Sequence, residues 1–292
     1  MSQTNPSRRP VASVVKSIST LEGGGFPVRR PFPSAGMMQV DPFLLLDHLG
    51  PVTWGPGEGI GAPDHPHRGF ETVTYLLSGE MQHKDSRGHS GRLTPGDVQW
   101  MTAGSGVVHS ELPSAEFMRT GGVMHGFQVW VNLPARDKMI TPRYQEIPST
   151  RIPTAASPDG KVKVRVIAGT AMGVSAVIET HTPIVYLHYT FTAGGETVQS
   201  IPANHQVLVY VIRGAVQTGM EKQSVREGEM ALLGAGTDVH LSATEQADVL
   251  ILAGVPLNEP VARHGPFVMN TETEIRQAIR DYQAGRMGSI DF

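Results

Sequence analysis

Two histidines that flank a proline, with a glutamate close behind, form the first group of residues that could do chemistry. The stretch HPHRGFET covers residues 65–72 and contains His65, His67 and Glu71. On an extended strand, residues two apart face the same side, so the two imidazoles point together, and Glu71 joins them if no bulge intervenes. A lone His-x-His pair in a loop rich in glycine and proline is most often solvated, so this stretch alone does not define a metal site.

A second pair with the same spacing occurs in the sequence HSE, where His109 and Glu111 also share a face. Two strands that each present such a pair could converge in a small barrel, giving three imidazoles and one or two carboxylates. A donor set of nitrogen and oxygen suits Fe(II), Mn(II), Ni(II), Co(II) or Cu(II), and Zn(II) is also accommodated. Four protein ligands around an octahedral ion leave two positions open for a substrate oxygen or O₂.

The composition favours short strands joined by turns and argues against several classes of protein. The 292 residues include 33 glycines and 22 prolines, and the formal net charge is −3. Without a basic block, direct nucleic-acid binding is not expected. Because the chain has no cysteine, only His, Asp or Glu could hold a metal. No apolar run has the length of a signal peptide core or a membrane span, so we expect a cytoplasmic protein.

The elements that would carry these residues occur twice along the chain. TYLLSGEM at 74–81 resembles VYVIRGAV at 209–216, and LTPGDVQWMTAGSGVVHSE at 93–111 resembles VREGEMALLGAGTDVHLS at 225–242. Since the matching blocks keep their order, the pattern predicts a duplicated all-β unit. A turn-rich stretch over 134–160 is expected to separate the two halves.

The second copy lacks the paired histidines. Ser200 and Pro202 fall near the positions of His65 and His67, and His240 has no partner at strand spacing. Only the first copy therefore keeps a full set of candidate ligands, and we interpret His205 and His240 as structural residues.

The tail is typical of an amphipathic helix. The sequence NTETEIRQAIRDYQAG predicts a helix over 271–284 with Asn270 or Thr271 as its N-cap. Ile275 and Ile279 share one face, so we expect this helix to pack against a barrel flank.

The central region resembles the signature of the pirin family, within the cupin superfamily. The resemblance is carried by DHPHRGFETVTYLLSGEMQHKDSRGHSGRLTPGDVQWMTAGSGVVHSE at 64–111. Supporting stretches are EGGGFPVRRPFP (22–33), DPFLLLDHLGP (41–51), QVWVNLP (128–134) and GPFVMNT (265–271). Together these stretches span nearly the whole chain.

The resemblance implies an all-β bicupin, in which two antiparallel, jelly-roll-like β-barrels lie face to face. We expect an N-terminal barrel with the metal site over 1–140. A C-terminal barrel without metal, followed by the short helix, would occupy 141–292.

The resemblance also implies a ligand set and a metal. The metal ligands of the family fall on His65, His67, His109 and Glu111, and the metal usually associated with the family is iron, as Fe(II). Glu71 lies where many other cupins place a carboxylate ligand. We therefore expect Glu71 to support the site, by orienting an imidazole or by accepting a proton.

Two functions follow from the resemblance. Pirins similar to this chain are associated with quercetin 2,3-dioxygenase activity, which opens a flavonol ring with O₂ and releases carbon monoxide. The catalytic proton acceptor would then be Glu111 or Glu71, because a metal lowers the pKa of a hydroxyl that it binds. Wall residues of the substrate pocket are expected to be Trp100, Met101, Phe127 and Gln128.

The alternative is a metal- or redox-dependent regulatory protein that binds a transcription factor or a metabolic enzyme. The near-neutral net charge means that any contact with DNA would be made through a protein partner. A weaker option is a small-ligand sensor or an isomerase that uses the same cup. Since the duplication already supplies a pair of barrels, we expect a monomer.

Overall fold

The computed structural model describes residues 7–292, which form two compact units. Unit I comprises Ser19–Ser149 and Leu257–Phe292, and unit II comprises residues 7–18 and Thr150–Pro256. These units do not coincide with the contiguous domains expected over 1–140 and 141–292, because each unit recruits a segment from the far end of the chain. Residues 1–6 of the first expected domain lie outside the described residues.

Strands dominate the first half of the chain, where a short helix, α1 (Ala115–Thr120), precedes the eleventh strand. The strands are β1 (Val11–Lys16), β2 (Ile18–Glu22), β3 (Phe26–Phe32), β4 (Phe43–Trp54), β5 (Ala62–His67), β6 (Phe70–Ser78), β7 (Met81–Asp85), β8 (Ser90–Leu93), β9 (Val98–Thr102), β10 (Val107–Pro113), β11 (Gly122–Asn132) and β12 (Arg143–Ile147). Two 3₁₀ helices cover Ala135–Asp137 and Ser149–Arg151. The all-β class expected from the composition is confirmed.

The second half continues the same pattern and ends in helix α2 (Glu272–Gln283). Its strands are β13 (Thr154–Ala156), β14 (Val162–Ala168), β15 (Thr170–Ala171), β16 (Val174–Ser175), β17 (Ile184–Phe191), β18 (Gly195–Ser200), β19 (Gln206–Arg213), β20 (Ala215–Thr218), β21 (Gln223–Arg226), β22 (Glu229–Leu233), β23 (Asp238–Ala243), β24 (Ala247–Gly254), β25 (Ala262–His264) and β26 (Phe267–Met269). Among residues 7–292, no helix is both long and apolar enough to span a membrane.

The larger sheets of the two units repeat one strand order. Unit I has a seven-stranded sheet, β12-β9-β6-β11-β4-β3-β2, and a four-stranded sheet, β5-β10-β7-β8. Unit II has β1-β22-β19-β24-β17-β14-β13 and β18-β23-β20-β21. The blocks matched in the sequence fall on equivalent strands, so β6 corresponds to β19 and β9 to β22. The predicted duplication therefore appears as a repeated strand order.

The outer edge of the seven-stranded sheet explains where the boundary falls. In unit I, Arg143–Ile147 pairs with Val98–Thr102 of β9, so β12 belongs with the strands that precede it. In unit II the equivalent edge position is taken by β1, which pairs antiparallel with β22. The division at Ser149/Thr150 lies within the turn-rich stretch over 134–160, and backbone hydrogen bonding along these edges decides which unit each segment joins.

The interior of unit II is filled by apolar side chains. Strand β14 alternates buried valines with exposed or half-buried polar residues, as a half-solvated strand requires. Val239 and Leu241 of β23 are buried in the same apolar cluster, whereas His240 between them is half-buried on the other face. The side chain of His240 therefore does not occupy the place that His109 takes in unit I.

The helix predicted over 271–284 is present as α2. The Thr271 side chain accepts from the Glu274 backbone N–H, and the Glu274 carboxylate accepts in return from the Thr271 N–H, which forms a capping box. Ile275 and Ala278 pack with Phe267 of β26 in an apolar cluster of unit I. The helix thus covers strands of the unit that contains the predicted metal ligands.

Candidate metal centre

Three of the four predicted ligands lie together in unit I. Strand β5 carries His65 and His67, strand β10 carries His109, and the antiparallel register sets His109 opposite His65. One ring nitrogen of each histidine lies within 4.8 Å of the others. The ring centroids of His65 and His109 are 4.3 Å apart, and those of His67 and His109 are 4.9 Å apart. Two strands with histidines at the right spacing therefore converge, as the sequence predicts.

Backbone carbonyls orient two of the three imidazoles. The Nδ1 atom of His65 lies 2.7 Å from the Pro63 carbonyl, and Nδ1 of His67 lies 3.4 Å from the Pro266 carbonyl. Because a carbonyl can only accept, both Nδ1 atoms carry the hydrogen and both Nε2 atoms keep a free lone pair. These two Nε2 atoms are 3.1 Å apart, a separation typical of nitrogen ligands that share one metal ion.

The third imidazole has no hydrogen-bonding partner in the described part of the chain. His109 is fully buried, and neither of its ring nitrogens is hydrogen-bonded within residues 7–292. A buried polar atom without a partner is costly, and a metal ion bound by a His109 ring nitrogen would offset part of that cost. Burial, reinforced by the neighbouring imidazoles, holds the pKa of His109 and of His67 well below the ordinary value. Neutral imidazoles are the form that binds a metal, and the donor set fits a divalent first-row transition ion.

Glu111 lies beside the three histidines but outside their close group. Its carboxylate accepts a hydrogen bond of 2.9 Å from the Thr74 hydroxyl of β6 and one of 3.4 Å from the Gln128 amide of β11. Glu111 lines the same cavity as His65 and His67. Strand pairing explains the network, because Thr74 and Gln128 face each other in the register of β6 and β11.

Glu71 lies on the opposite side of β6 from this network. Side chains alternate along a strand, so Glu71 faces away from the side that carries Thr74. The Thr102 hydroxyl donates to the Glu71 carboxylate at 2.7 Å, and burial raises the pKa of Glu71 to about 7 although this hydrogen bond lowers it. Glu71 is absent from the residues that line the cavity. The extrapolation from His67 to Glu71 fails because the chain turns at Gly69, whose φ is +88°, so that the alternation of β5 does not carry over into β6.

A cavity of about 760 Å³ adjoins the histidines. Its wall combines apolar side chains, such as Met124 and Trp130, with a few charged groups. Of the four wall residues expected from the sequence, Gln128 lines the cavity. The other three, Trp100, Met101 and Phe127, are fully buried and lie outside its lining. A cavity of this size and mixed character suits a small organic ligand.

An ion pair on the cavity wall was not predicted from the sequence. The Arg30 guanidinium of β3 donates two hydrogen bonds of 2.6 Å to the Asp47 carboxylate of β4, and it also binds Glu22. Burial raises the pKa of Asp47 to about 6, although the hydrogen bonds from Arg30 lower it. Nothing in the local spacing of these residues indicates that they meet, because β3 and β4 become neighbours only in the sheet.

A buried lysine holds the turn that follows His67. The Lys138 amine donates to the Gly69 carbonyl at 2.7 Å, to the Asn132 side chain at 2.7 Å and to the Val268 carbonyl at 3.1 Å. The turn is packed so closely that a Cβ atom on Gly69 would lie 2.0 Å from the Val268 carbonyl oxygen. These contacts fix the end of the strand that carries two of the histidines.

A repeated order of antiparallel sheets, with a histidine cluster in one unit and an apolar interior in the other, is the organisation of a duplicated cupin-type protein. The family model described as Pirin matches residues 25–131, and the model described as Pirin C-terminal cupin domain matches residues 186–288. The chain therefore belongs to the pirin family, and the resemblance noted in the sequence is confirmed.

Relatives of known sequence or structure agree with this placement. The chain is 41% identical over 293 residues to a pirin-like protein of Solanum lycopersicum, covering 99% of this chain and 97% of the relative. It is 42% identical over 287 residues to pirin of Homo sapiens, and the match covers 97% of this chain and 95% of the human protein. Among solved structures, quercetin 2,3-dioxygenase from Acinetobacter baumannii matches with a TM-score of 0.91 and 38% identity, covering 97% of this chain and 100% of that one.

Proposed function

We propose that this protein is a metal-dependent dioxygenase of the quercetin 2,3-dioxygenase type, which opens the ring of a flavonol-like aromatic with O₂. The observation that carries the proposal is the buried cluster of His65, His67 and His109 beside a cavity of about 760 Å³. The similarity to the Acinetobacter baumannii enzyme supports the same reaction class.

The three histidines would hold the metal, with Glu111 as the fourth ligand in the resting protein. We propose Fe(II), while the all-nitrogen-and-oxygen set would also accept Mn, Ni, Co, Cu or Zn. When bound, the ion supplies Lewis acidity toward the substrate hydroxyl and the redox chemistry that O₂ requires.

The cavity wall would bind and shield the aromatic substrate. The Trp130 and His67 rings pack at an interplanar angle of 74° with 5.2 Å between their centroids, and Met124 lines the same cavity. A planar aromatic gains contact area against such side chains and displaces water from the site. The substrate is thereby placed within reach of the histidine cluster.

We assign the proton of the substrate hydroxyl to Glu111 rather than to Glu71. The Thr74 hydroxyl oxygen lies 2.9 Å from Glu111 Oε1 and 2.7 Å from Gln128 Oε1. A hydroxyl has one hydrogen, so beside an ionised Glu111 it can donate to only one of these oxygens. With a proton on Glu111 Oε1, the carboxyl donates to Thr74 and Thr74 donates to Gln128. The surroundings therefore accommodate the proton that Glu111 would receive.

Carbon monoxide release tests the proposed reaction directly. The purified protein is loaded anaerobically with Fe(II), mixed with quercetin and exposed to O₂, and carbon monoxide and the ring-opened product are measured. We expect one molecule of carbon monoxide for each quercetin consumed. Iron-loaded protein that binds quercetin but releases no carbon monoxide, with iron or with any other first-row metal, would overturn the proposal and favour the regulatory alternative.

A further inference from the structure

A second arginine, Arg263, lines the cavity and is not part of the Arg30 ion pair. The Arg263 guanidinium of β25 lies over the Trp130 ring, with its central carbon 5.2 Å from the ring centroid. Its Nη1 donates to the Leu44 carbonyl at 3.2 Å, and this is its one hydrogen bond within residues 7–292. A guanidinium has five N–H donors around its edge, so a stacked arginine with a single hydrogen bond keeps most of them for a ligand.

The two arginines of the cavity differ in their counter-ions. Arg30 is neutralised by the two-point hydrogen bond to Asp47 and by Glu22. Arg263 forms no ion pair within 4.0 Å anywhere in the described chain. Both carboxylate oxygens of Asp47 accept from Arg30, and the Arg263 guanidinium donates to neither of them.

Arg263 is half-buried beside charges of both signs. Burial, followed by the positive charge of Arg30, lowers the pKa of Arg263, and the opposing influence of Glu22 and Asp47 does not cancel these two effects. A negatively charged group that meets the guanidinium edge would form the ion pair that Arg263 does not make within residues 7–292.

Arg263 and His67 share Trp130 as a neighbour in the cavity wall. The Trp130 indole contacts both groups: its ring centroid lies 5.2 Å from that of His67 and 5.2 Å from the central carbon of the Arg263 guanidinium. A planar aromatic ligand that lies along this wall with one end at the histidines would bring its other end towards Arg263.

We propose that Arg263 is a substrate-recognition residue, and that the substrate class of this site is a planar aromatic with an anionic group at the end remote from the three histidines. A sulfonate, sulfate or carboxylate on the ring would accept charge-assisted hydrogen bonds from the guanidinium edge. This inference deepens the proposed function and rests on it for the orientation of the ligand.

Binding of two matched probes to the metal-free protein tests the inference without turnover. Quercetin and quercetin 5′-sulfonate are each titrated into the metal-free protein while tryptophan fluorescence is recorded, which gives a dissociation constant for each probe. We expect the dissociation constant of the wild-type protein for the sulfonate to be at least about tenfold lower than that for quercetin. One charge-assisted hydrogen bond contributes enough free energy for this difference. In Arg263→Gln the two dissociation constants should become equal, while in Arg276→Gln, on the exposed side of α2, the preference should persist.

The result that overturns the inference is equal binding of the two probes by the wild-type protein, or a preference that survives Arg263→Gln. If Arg263→Gln does not fold, Arg263→Lys replaces it, and an undiminished preference in that variant counts against recognition by the guanidinium edge. Carbon monoxide release from quercetin without any sulfonate preference would overturn this inference and leave the proposed function standing. A sulfonate preference without carbon monoxide release from either probe would overturn the dioxygenase and support anion recognition.

Discussion

The Nε2 atoms of His65 and His67 lie 3.1 Å apart in unit I, and both carry free lone pairs because their Nδ1 atoms face carbonyl oxygens. Two lone pairs this close repel each other unless a proton or a cation lies between them. Burial holds the pKa of His67 well below its ordinary value, so a proton is disfavoured. A metal ion shared with His109 removes the repulsion, and metal loading should therefore stabilise this unit.

Removing histidines from the cluster should abolish metal binding. The double variant His65→Ala/His109→Ala loses two of three imidazoles, and we expect its iron content after loading to fall from about one ion per chain to background. His240→Ala is the matched control, because its side chain is half-buried away from the apolar interior of unit II. The measurement is metal analysis by mass spectrometry after removal of unbound ion. A double variant that keeps stoichiometric iron would refute the site.

Two threonines on opposite faces of neighbouring strands should separate the roles of the two glutamates. The Thr74 hydroxyl donates a hydrogen bond to the Glu111 carboxylate, and the Thr102 hydroxyl donates one to the Glu71 carboxylate. Both hydrogen bonds are buried. Thr74→Val should lower kcat for quercetin about tenfold, the cost of one hydrogen bond to a charged group, with metal content unchanged. Thr102→Val should leave kcat unchanged. Equal losses of kcat in the two variants would contradict the assignment of Glu111.

The buried carboxyl of Glu71 should make stability depend on pH. Burial raises its pKa to about 7, above the ordinary value of 4.5, so the protonated form is favoured in the folded protein. The resulting stability is fully present below about pH 4.5 and is lost as the pH rises through 7. Glu71→Gln stays neutral, so its free energy of unfolding should rise relative to wild type by on the order of 2 kcal/mol between pH 5 and pH 8. Urea titrations across this range measure the difference, and parallel pH curves would contradict the prediction.

Replacing Lys138 should weaken both the fold and the metal site. Lys138→Met leaves the carbonyls of Gly69 and Val268 and the amide of Asn132 without their donor, and we expect a loss of about 3 kcal/mol in the free energy of unfolding. Because the Gly69 turn follows His67, metal affinity should fall as well. Lys163→Met, on an exposed position of β14, is the control and should change neither quantity. Thermal unfolding and competition with a metal chelator provide the two readouts.

The sequence predicts the parts of this protein that depend on local periodicity. The i, i+2 spacing within HPH and HSE determines which side chains share a face, and the repeated blocks predict two units with one strand order. Helix α2 ends within one residue of the predicted bounds, because its cap residue and its apolar face are both encoded locally. Local spacing does not predict that Glu111 lines the cavity and Glu71 lies outside it, because the turn at Gly69 breaks the alternation of side chains between β5 and β6.

By itself, the sequence thus determined the family, the all-β class and the three histidines, because residues on one strand obey the two-residue repeat wherever the strand lies. Residue spacing alone left both Glu71 and Glu111 as candidates and the family resemblance favoured Glu111, which the tertiary structure places on the cavity wall while it leaves Glu71 outside. Only the tertiary structure brought Arg263, Pro266 and Lys138 to the site from distant parts of the chain. The physical reason is that neighbours in a sheet are selected by long-range backbone pairing, which leaves no trace in the spacing of residues along the chain.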